Sequence, residues 1–211
     1  MEIDTAQVSA ASERLVPLAA IHLLGPHLVN DVLAAATVGA IAGAAPVSMT
    51  AASDAFRGLE HAMELVAEIG GVRFVNDSKA TNVESALRSV ESFERDLVPI
   101  MGGRFKGGDL GLLRRPLAAR ARAVVAIGEA SGRFRDALAE SVPVHEAGSF
   151  REAIDRAYAL AKPDGVVLLA PACASFDMFS DYADRGRAFK EEVGRIVREE
   201  RQEDGRRNDG P

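Results

Sequence analysis

The sequence predicts an α/β protein: a doubly wound, mostly parallel sheet with an initial β-hairpin, preceded by a helical segment of a second domain. Three observations carry that reading. From residue 83 onward, short apolar runs alternate with amphipathic helical stretches, the pattern of βαβ units. Ahead of them, a period of two over Met63–Ile69 breaks at Gly70-Gly71 and gives way to the apolar run Val72–Val75, which reads as a hairpin. The stretch before residue 55 is instead rich in Ala and Gly and reads as helical.

Taken in order, Gly25-Pro26-His27 precedes the most apolar stretch, Val32 to Val47. Pro26 suits the first turn of a helix and Gly43 its end. The stretch is too short to span a bilayer, which needs about 20 apolar residues, so a tightly packed interior helix is expected. A short second helix follows Ser48, through Thr50 to Phe56. In the hairpin, Met63, Leu65, Ala67 and Ile69 alternate with Glu64, Val66 and Glu68. Val83, Ala86, Leu87 and Val90 then share one helical face. Leu97–Met101 reads as a strand, which Pro99 puts at an edge or a bulge. Leu110–Ala121 is helical with Pro116 as a break, and Ala123–Ile127 is a buried strand ending at Gly128. Helices near Arg133–Glu140 and Phe150–Ala161 flank a weak strand at Val142–His145. Val166–Ala170, apolar on both faces, is the clearest parallel-type strand. A last helix runs from about Ala183 to Arg198, with Phe189, Val193, Ile196 and Val197 inward. Residues 199–211, EERQEDGRRNDGP, lack an apolar period and are expected to form a disordered tail.

The composition narrows the function. Of 211 residues, 25 are Lys or Arg against 31 Asp or Glu, a formal charge of −6. A nucleic-acid or anionic-membrane surface needs a basic footprint that this balance does not supply. Aromatic residues are 5% with no Trp, against stacking platforms for nucleic acid. The single Cys excludes an intrachain disulfide framework and a cysteine-based metal site. The first residues lack the basic and apolar regions of a signal peptide, so the expected compartment is the cytoplasm, without membrane insertion.

In an open α/β sheet, ligands bind outside the carboxyl ends of the strands, and three segments fall there. The first is Asn76-Asp77-Ser78-Lys79-Ala80-Thr81-Asn82. Thr81 with Glu84 has the T-x-x-E form of a capping box, with Thr81 as the cap. Lys79, a hydroxyl and the open amides of a helix start also suit an anion. The second, Gly102-Gly103-Arg104-Phe105-Lys106-Gly107-Gly108-Asp109, couples four glycines to two cations but is not a P-loop. The third, Pro171-Ala172-Cys173-Ala174-Ser175-Phe176-Asp177, offers small residues and the Ser175 hydroxyl. Cys173 beside alanines reads as a packing residue. His22, His27, His61 and His145 have no informative spacing to Ser175, and His145 reads as a surface residue. No metal-ligand spacing occurs.

GLEHAMELVAEIGGVRFVNDSKATNV, IMGGRFKGGD and LLAPACASFDMFSDYADRGRAF, in this order, resemble the carboxyl-terminal domain of the Mur ligases that add D-glutamate in peptidoglycan synthesis. The resemblance covers about residues 20–198. It implies a Rossmann-like amino-acid-binding domain over residues 56–198. Residues 1–55 would be a remnant of the central ATP-binding domain. It also implies an acyl-phosphate mechanism: ATP, with Mg2+, activates the carboxylate of UDP-N-acetylmuramoyl-L-alanine, and the amine of D-glutamate attacks. By motif position, Thr81 and Lys106 hold the α-carboxylate of D-glutamate. Ser175 and the backbone around Tyr182 hold its side-chain carboxylate. Asp77 matches the position that bonds the nucleotide ribose, and Asn30, Asp31 and Lys79 fall on the same nucleotide side.

The departures from the family lie on that side. The P-loop and the magnesium-binding residues, including the carbamylated lysine, do not occur, so the catalytic residues are expected in the missing part; a separate chain carrying the missing domains is one alternative, beside a portion that is lost or left out of this chain. The G-x-H-N-x-x-N segment reads Gly25-Pro26-His27-Leu28-Val29-Asn30-Asp31, and Ala62 stands where an arginine follows the histidine. Arg104 replaces a small or acidic residue. A contrasting reading is a non-catalytic amino-acid-binding module or gene fragment without its own ATP site. The folylpolyglutamate synthase type is a third, against which NDSKATN and PACASFD argue. Without a sheet to pack on, the Val32–Val47 helix is expected to associate or to be locally disordered.

Overall fold

The computed structural model describes residues 15–208, which form two compact units divided between Arg57 and Gly58. The first unit holds a 3-10 turn (Leu18–Ala20), α1 (Pro26–Ile41) and α2 (Pro46–Ala55). Each helix begins on a proline, whose fixed φ suits the first turn. Pro46 therefore opens α2 ahead of Ser48. Gly43, at φ 83°, follows the end of α1. The expectation that Val32–Val47 forms a tightly packed interior helix is not met within this unit. Only Ala36 of α1 is buried, whereas Val38 and Ile41 are 66% and 83% exposed. Two helices and a turn have too little surface to cover both faces of α1.

The second unit carries β1 (Glu64–Ile69), β2 (Val72–Asn76), α3 (Val83–Glu91), β3 (Leu97–Gly102), a 3-10 turn (Leu110–Leu113) and α4 (Arg114–Arg120). It continues with β4 (Val124–Ile127), α5 (Ser131–Leu138), β5 (Val144–Ala147), α6 (Phe150–Ala161), β6 (Val166–Leu169) and α7 (Tyr182–Asn208). The strands form one sheet in the order β1-β2-β6-β3-β4-β5. Only the β1–β2 hairpin is antiparallel; β6 enters between β2 and β3, parallel to both. Gly70 and Gly71, both at positive φ, make the hairpin turn. On one face of the sheet, Phe74, Val98, Ile100, Val125, Val167 and Leu169 pack against Ala153, Ile154 and Ala157 of α6 and Phe189, Val193 and Ile196 of α7. Burying each large apolar side chain is worth about 1.5–3 kcal/mol, and this interface holds the unit together.

Three expectations need correction. Pro99 lies in the middle of the sheet, not at an edge: β3 runs between β6 and β4. The alternative, a bulge, is met on the β4 side, where pairing shifts by one residue across the proline, from Leu97 with Ala121 to Ile100 with Val125. The break in Leu110–Ala121 falls at Arg114, where the 3-10 turn becomes α4, and Pro116 sits inside the first turn of α4, where its missing N–H costs no bond. The segment 199–208, expected to be a disordered tail, continues α7; residues 209–211 lie outside the described residues. The reason lies in side-chain pairs with α6. Tyr158 Oη, at 2.7 Å, and Lys162 Nζ, at 2.9 Å, both donate to Glu200 Oε1. Arg195 joins Glu192, Glu199 and Asp155, the first two along its own helix.

Candidate functional site

Because β6 lies between β2 and β3, the three polar segments emerge side by side at the carboxyl end of the sheet. The third segment is zipped to both others. Asp77 N donates to Leu169 O at 2.9 Å, and Ala172 N to Ala80 O at 2.9 Å. On the other flank, Arg104 N donates to Ala174 O at 2.9 Å and Ala174 N to Arg104 O at 3.0 Å, while Gly102 N reaches Pro171 O at 2.8 Å. Such close crossings explain the glycines. A Cβ on Gly103 would lie 2.4 Å from Ala174 O, and one on Gly102 only 1.9 Å from Ile127 O. These two glycines serve backbone crossing within the protein, whereas Gly107 borders open space.

The helix after the first segment is capped one residue later than the T-x-x-E pattern suggests. Asn82, in extended conformation, is the N-cap of α3, and its side chain accepts from Ser85 N at 2.8 Å. Thr81 is thereby released from capping, and its Oγ1 accepts from Lys106 Nζ at 3.5 Å, joining the first and second segments. Ser175 is 2% exposed, and its hydroxyl makes no hydrogen bond among the described residues. Its carbonyl holds the turn by accepting from Met178 N and Phe179 N at 3.0 and 2.9 Å. Tyr182 opens α7, with its ring half exposed and its carbonyl accepting from Ser78 Oγ at 2.7 Å.

Of the residues expected on the nucleotide side, Asp77 and Lys79 lie in the second unit and Asn30 and Asp31 in the first. Asp77 is buried, with Oδ1 accepting from Met63 N at 3.2 Å and Oδ2 from Ser89 Oγ. Both oxygens thus serve the fold. Lys79 is exposed, and its amide donates to His61 O at 3.1 Å. Asn30 and Asp31 are exposed on α1, in the first unit. His61, buried at φ 64°, accepts from Asn76 Nδ2 at 3.0 Å, and the missing Cβ of Gly186 makes room for its ring.

Arg185 was not singled out in the sequence. It is 1% exposed, yet it donates only to neutral acceptors: Ser78 Oγ at 2.9 Å, Ser78 O at 2.8 Å and Cys173 O at 3.2 Å. Burial lowers its pKa to about 10, so it stays charged at neutral pH. Nothing in the string Asp184-Arg185-Gly186 separates it from the exposed Arg187 of the same helix except its place on the inner face. The buried Cys173 thiol is pushed up to about 12 by desolvation, the state of an inert packing residue.

Beside the second segment, a cleft of about 380 Å³ is lined by Phe105, Gly107, Glu129, Ala130 and Arg133. Arg104 pairs with Glu129 at 3.0 Å, and the Arg133 guanidinium lies 5.9 Å from the centre of the Phe105 ring. Among the described residues, no group of three or more His, Cys, Asp or Glu is placed to hold a metal ion. Among them, no helix is long and apolar enough to cross a membrane.

The sheet order and the three joined loops define a Rossmann-like domain with its ligand end at the carboxyl termini of β2, β6 and β3. The family model for the Mur ligase, glutamate ligase domain matches residues 61–173, and the chain belongs to that family. Among curated relatives, the UDP-N-acetylmuramoylalanine--D-glutamate ligase of Acidobacterium capsulatum is 45% identical over 87% of this chain and 40% of that protein. The protein of the same name from Solibacter usitatus is 43% identical over 82% of this chain and 39% of its own length. The chain thus spans about two fifths of these relatives. Two solved structures share the fold. The UDP-N-acetylmuramate-alanine ligase of Thermotoga maritima has a TM-score of 0.60 at 16% identity, over 83% of this chain and 40% of that one. The folylpolyglutamate synthase of Mycobacterium tuberculosis has a TM-score of 0.60 at 22% identity, over 82% of this chain and 41% of that one.

Proposed function

We propose that this chain supplies the D-glutamate-binding part of an ATP-dependent ligase that joins D-glutamate to UDP-N-acetylmuramoyl-L-alanine. The observation that carries the reading is the Thr81–Lys106 contact, 3.5 Å long, which sets a hydroxyl and an ammonium together at the ligand end of the sheet. A carboxylate is the natural partner of such a pair. The Ser175 hydroxyl, unpaired among the described residues, and the backbone near Tyr182 supply donors for the second carboxylate of a dicarboxylic amino acid. Identity of 45% and 43% to relatives named as D-glutamate ligases supports the choice of amino acid.

ATP and Mg2+ do not fit the residues of this chain. The sequence has no G-x-x-x-x-G-K-[ST], the described residues hold no acidic cluster for a metal, and the Asp77 oxygens are engaged within the fold. No nucleotide step is therefore assigned to these residues. In this reading residues 1–55 are the end of an ATP-binding domain, and the activating chemistry resides in portions of the relatives outside the shared span. The same observations favour, as a second reading, an amino-acid-binding module without catalysis. An ATP-consumption assay with UDP-N-acetylmuramoyl-L-alanine and D-glutamate separates them. Turnover by the chain alone refutes the second reading. Turnover only after adding the amino-terminal remainder of the Acidobacterium capsulatum relative supports a divided enzyme. No D-glutamate binding in either setting, with Lys106→Ala changing nothing, refutes the first.

A further inference from the structure

Two loops of the site are bonded to one guanidinium, and the third passes beside it. Arg185 bonds twice to Ser78 in the first loop and once to Cys173 in the third. Its Nη1 lies 3.5 Å from where a Cβ on Gly103, in the second loop, would stand. Thr81 follows Ser78 by three residues and Ser175 follows Cys173 by two, so the guanidinium is bonded within three residues of two of the groups assigned to the ligand.

A buried cation normally has a carboxylate beside it, because removing a charge from water costs several kcal/mol that neutral acceptors only partly repay. Arg185 forms no salt bridge, although Arg195 on the same helix makes three. Hydrogen bonds from a neutral side chain would have sufficed to join loops. What a guanidinium adds is a positive charge held in no salt bridge, with the Asp177 carboxylate acting on it at longer range, in a region of low dielectric where a charge acts farther than in water.

We infer that Arg185 is a positioning residue whose charge, held in no salt bridge, supplies a counter-charge for a dicarboxylic amino acid held above it by Thr81, Lys106 and Ser175. It touches the loops and not the ligand. It acts by ordering them and by favouring an amino acid with net negative charge over its neutral amide. The inference rests on the D-glutamate reading given above, and it adds a second source of discrimination to direct contacts.

The test is a titration of the whole isotope-labelled chain with D-glutamate and, separately, with D-glutamine, followed through the amides of Thr81, Gly107 and Ser175. D-glutamine is close in shape and carries no net charge. Arg185→Met should weaken D-glutamate about tenfold or more, an electrostatic loss of the size expected for one charge at partly buried range. D-glutamine should weaken far less. Arg185→Lys keeps the charge while losing bonds, so both affinities fall together and their ratio stays near that of the unaltered chain. If the methionine variant does not fold, the ratio in the lysine variant still decides. Parallel losses for both amino acids in Arg185→Met, or a collapsed ratio in Arg185→Lys, would overturn the inference and leave a purely structural clasp. Absence of any D-glutamate response in the unaltered chain, both alone and after adding the amino-terminal remainder of the Acidobacterium capsulatum relative, overturns the D-glutamate reading itself, and this inference with it.

Discussion

Replacing Asn82 by alanine removes the cap of α3 and leaves the Ser85 amide without its side-chain acceptor at 2.8 Å. The position is exposed, so water takes over part of the bond, and the expected loss is about 1 kcal/mol. For a protein of this size that lowers Tm by about 2–4 °C. Thr81→Ala, one residue earlier, removes a hydroxyl whose partner is Lys106 Nζ and not a helix amide. Its stability should stay within about 0.5 kcal/mol, while D-glutamate affinity should fall about tenfold with the loss of a hydrogen bond to a charged group. Thermal unfolding followed by circular dichroism, run beside D-glutamate titration, measures both quantities for both variants. The reasoning is refuted if Thr81→Ala melts as early as Asn82→Ala. It also fails if Asn82→Ala abolishes binding while Thr81→Ala spares it.

The remaining expectations are as follows. Cys173, buried and with its thiol pushed up to about 12, should resist iodoacetamide at pH 8 until the protein is unfolded; stoichiometric labelling of the folded chain would contradict its burial. Gly102→Ala sets a methyl 1.9 Å from Ile127 O at φ 123°, so it should cost about 3 kcal/mol or more, or prevent folding, as read by denaturant titration. Glu200→Ala removes the acceptor shared by Tyr158 and Lys162, and hydrogen exchange beyond Arg198 should speed markedly while the core of α7 stays protected. Unchanged exchange in that last stretch would show that α7 is held there by something else.

Much of the fold is legible in local patterns. The Gly70-Gly71 turn and the Val166–Leu169 run announce the hairpin and the parallel strand, because period and turn chemistry are local properties. Pro99 leaves edge and bulge open because a proline's tolerance depends on how the neighbouring strand pairs, and β4 lies far along the chain. The cap of α3 is ambiguous for a different reason. Thr81 and Asn82 are both good caps in tandem, and only tertiary contacts decide which one turns toward the helix. The end of α7 reads as solvated charge until Tyr158 and Lys162 of the α6 region are known to lie beside Glu200. In the site, Thr81, Lys106 and Ser175 stand out because polar and small residues crowd the ends of strands. Arg185 does not, since its charge is hidden by burial that no local pattern encodes.

The insertion of β6 between β2 and β3 has a consequence for synthesis on the ribosome. The hairpin and the β3–β4–β5 half are made first, yet neither is joined to the other until Val166–Leu169 has left the exit tunnel. Arg185, to which two of the loops are bonded, follows later still. The loops are therefore joined only after β6 and Arg185 have been made, and a nascent chain stalled before β6 carries two unjoined sheet edges. Those edges are ready to pair with the wrong partner, which makes the interval before β6 emerges a period of exposure to aggregation.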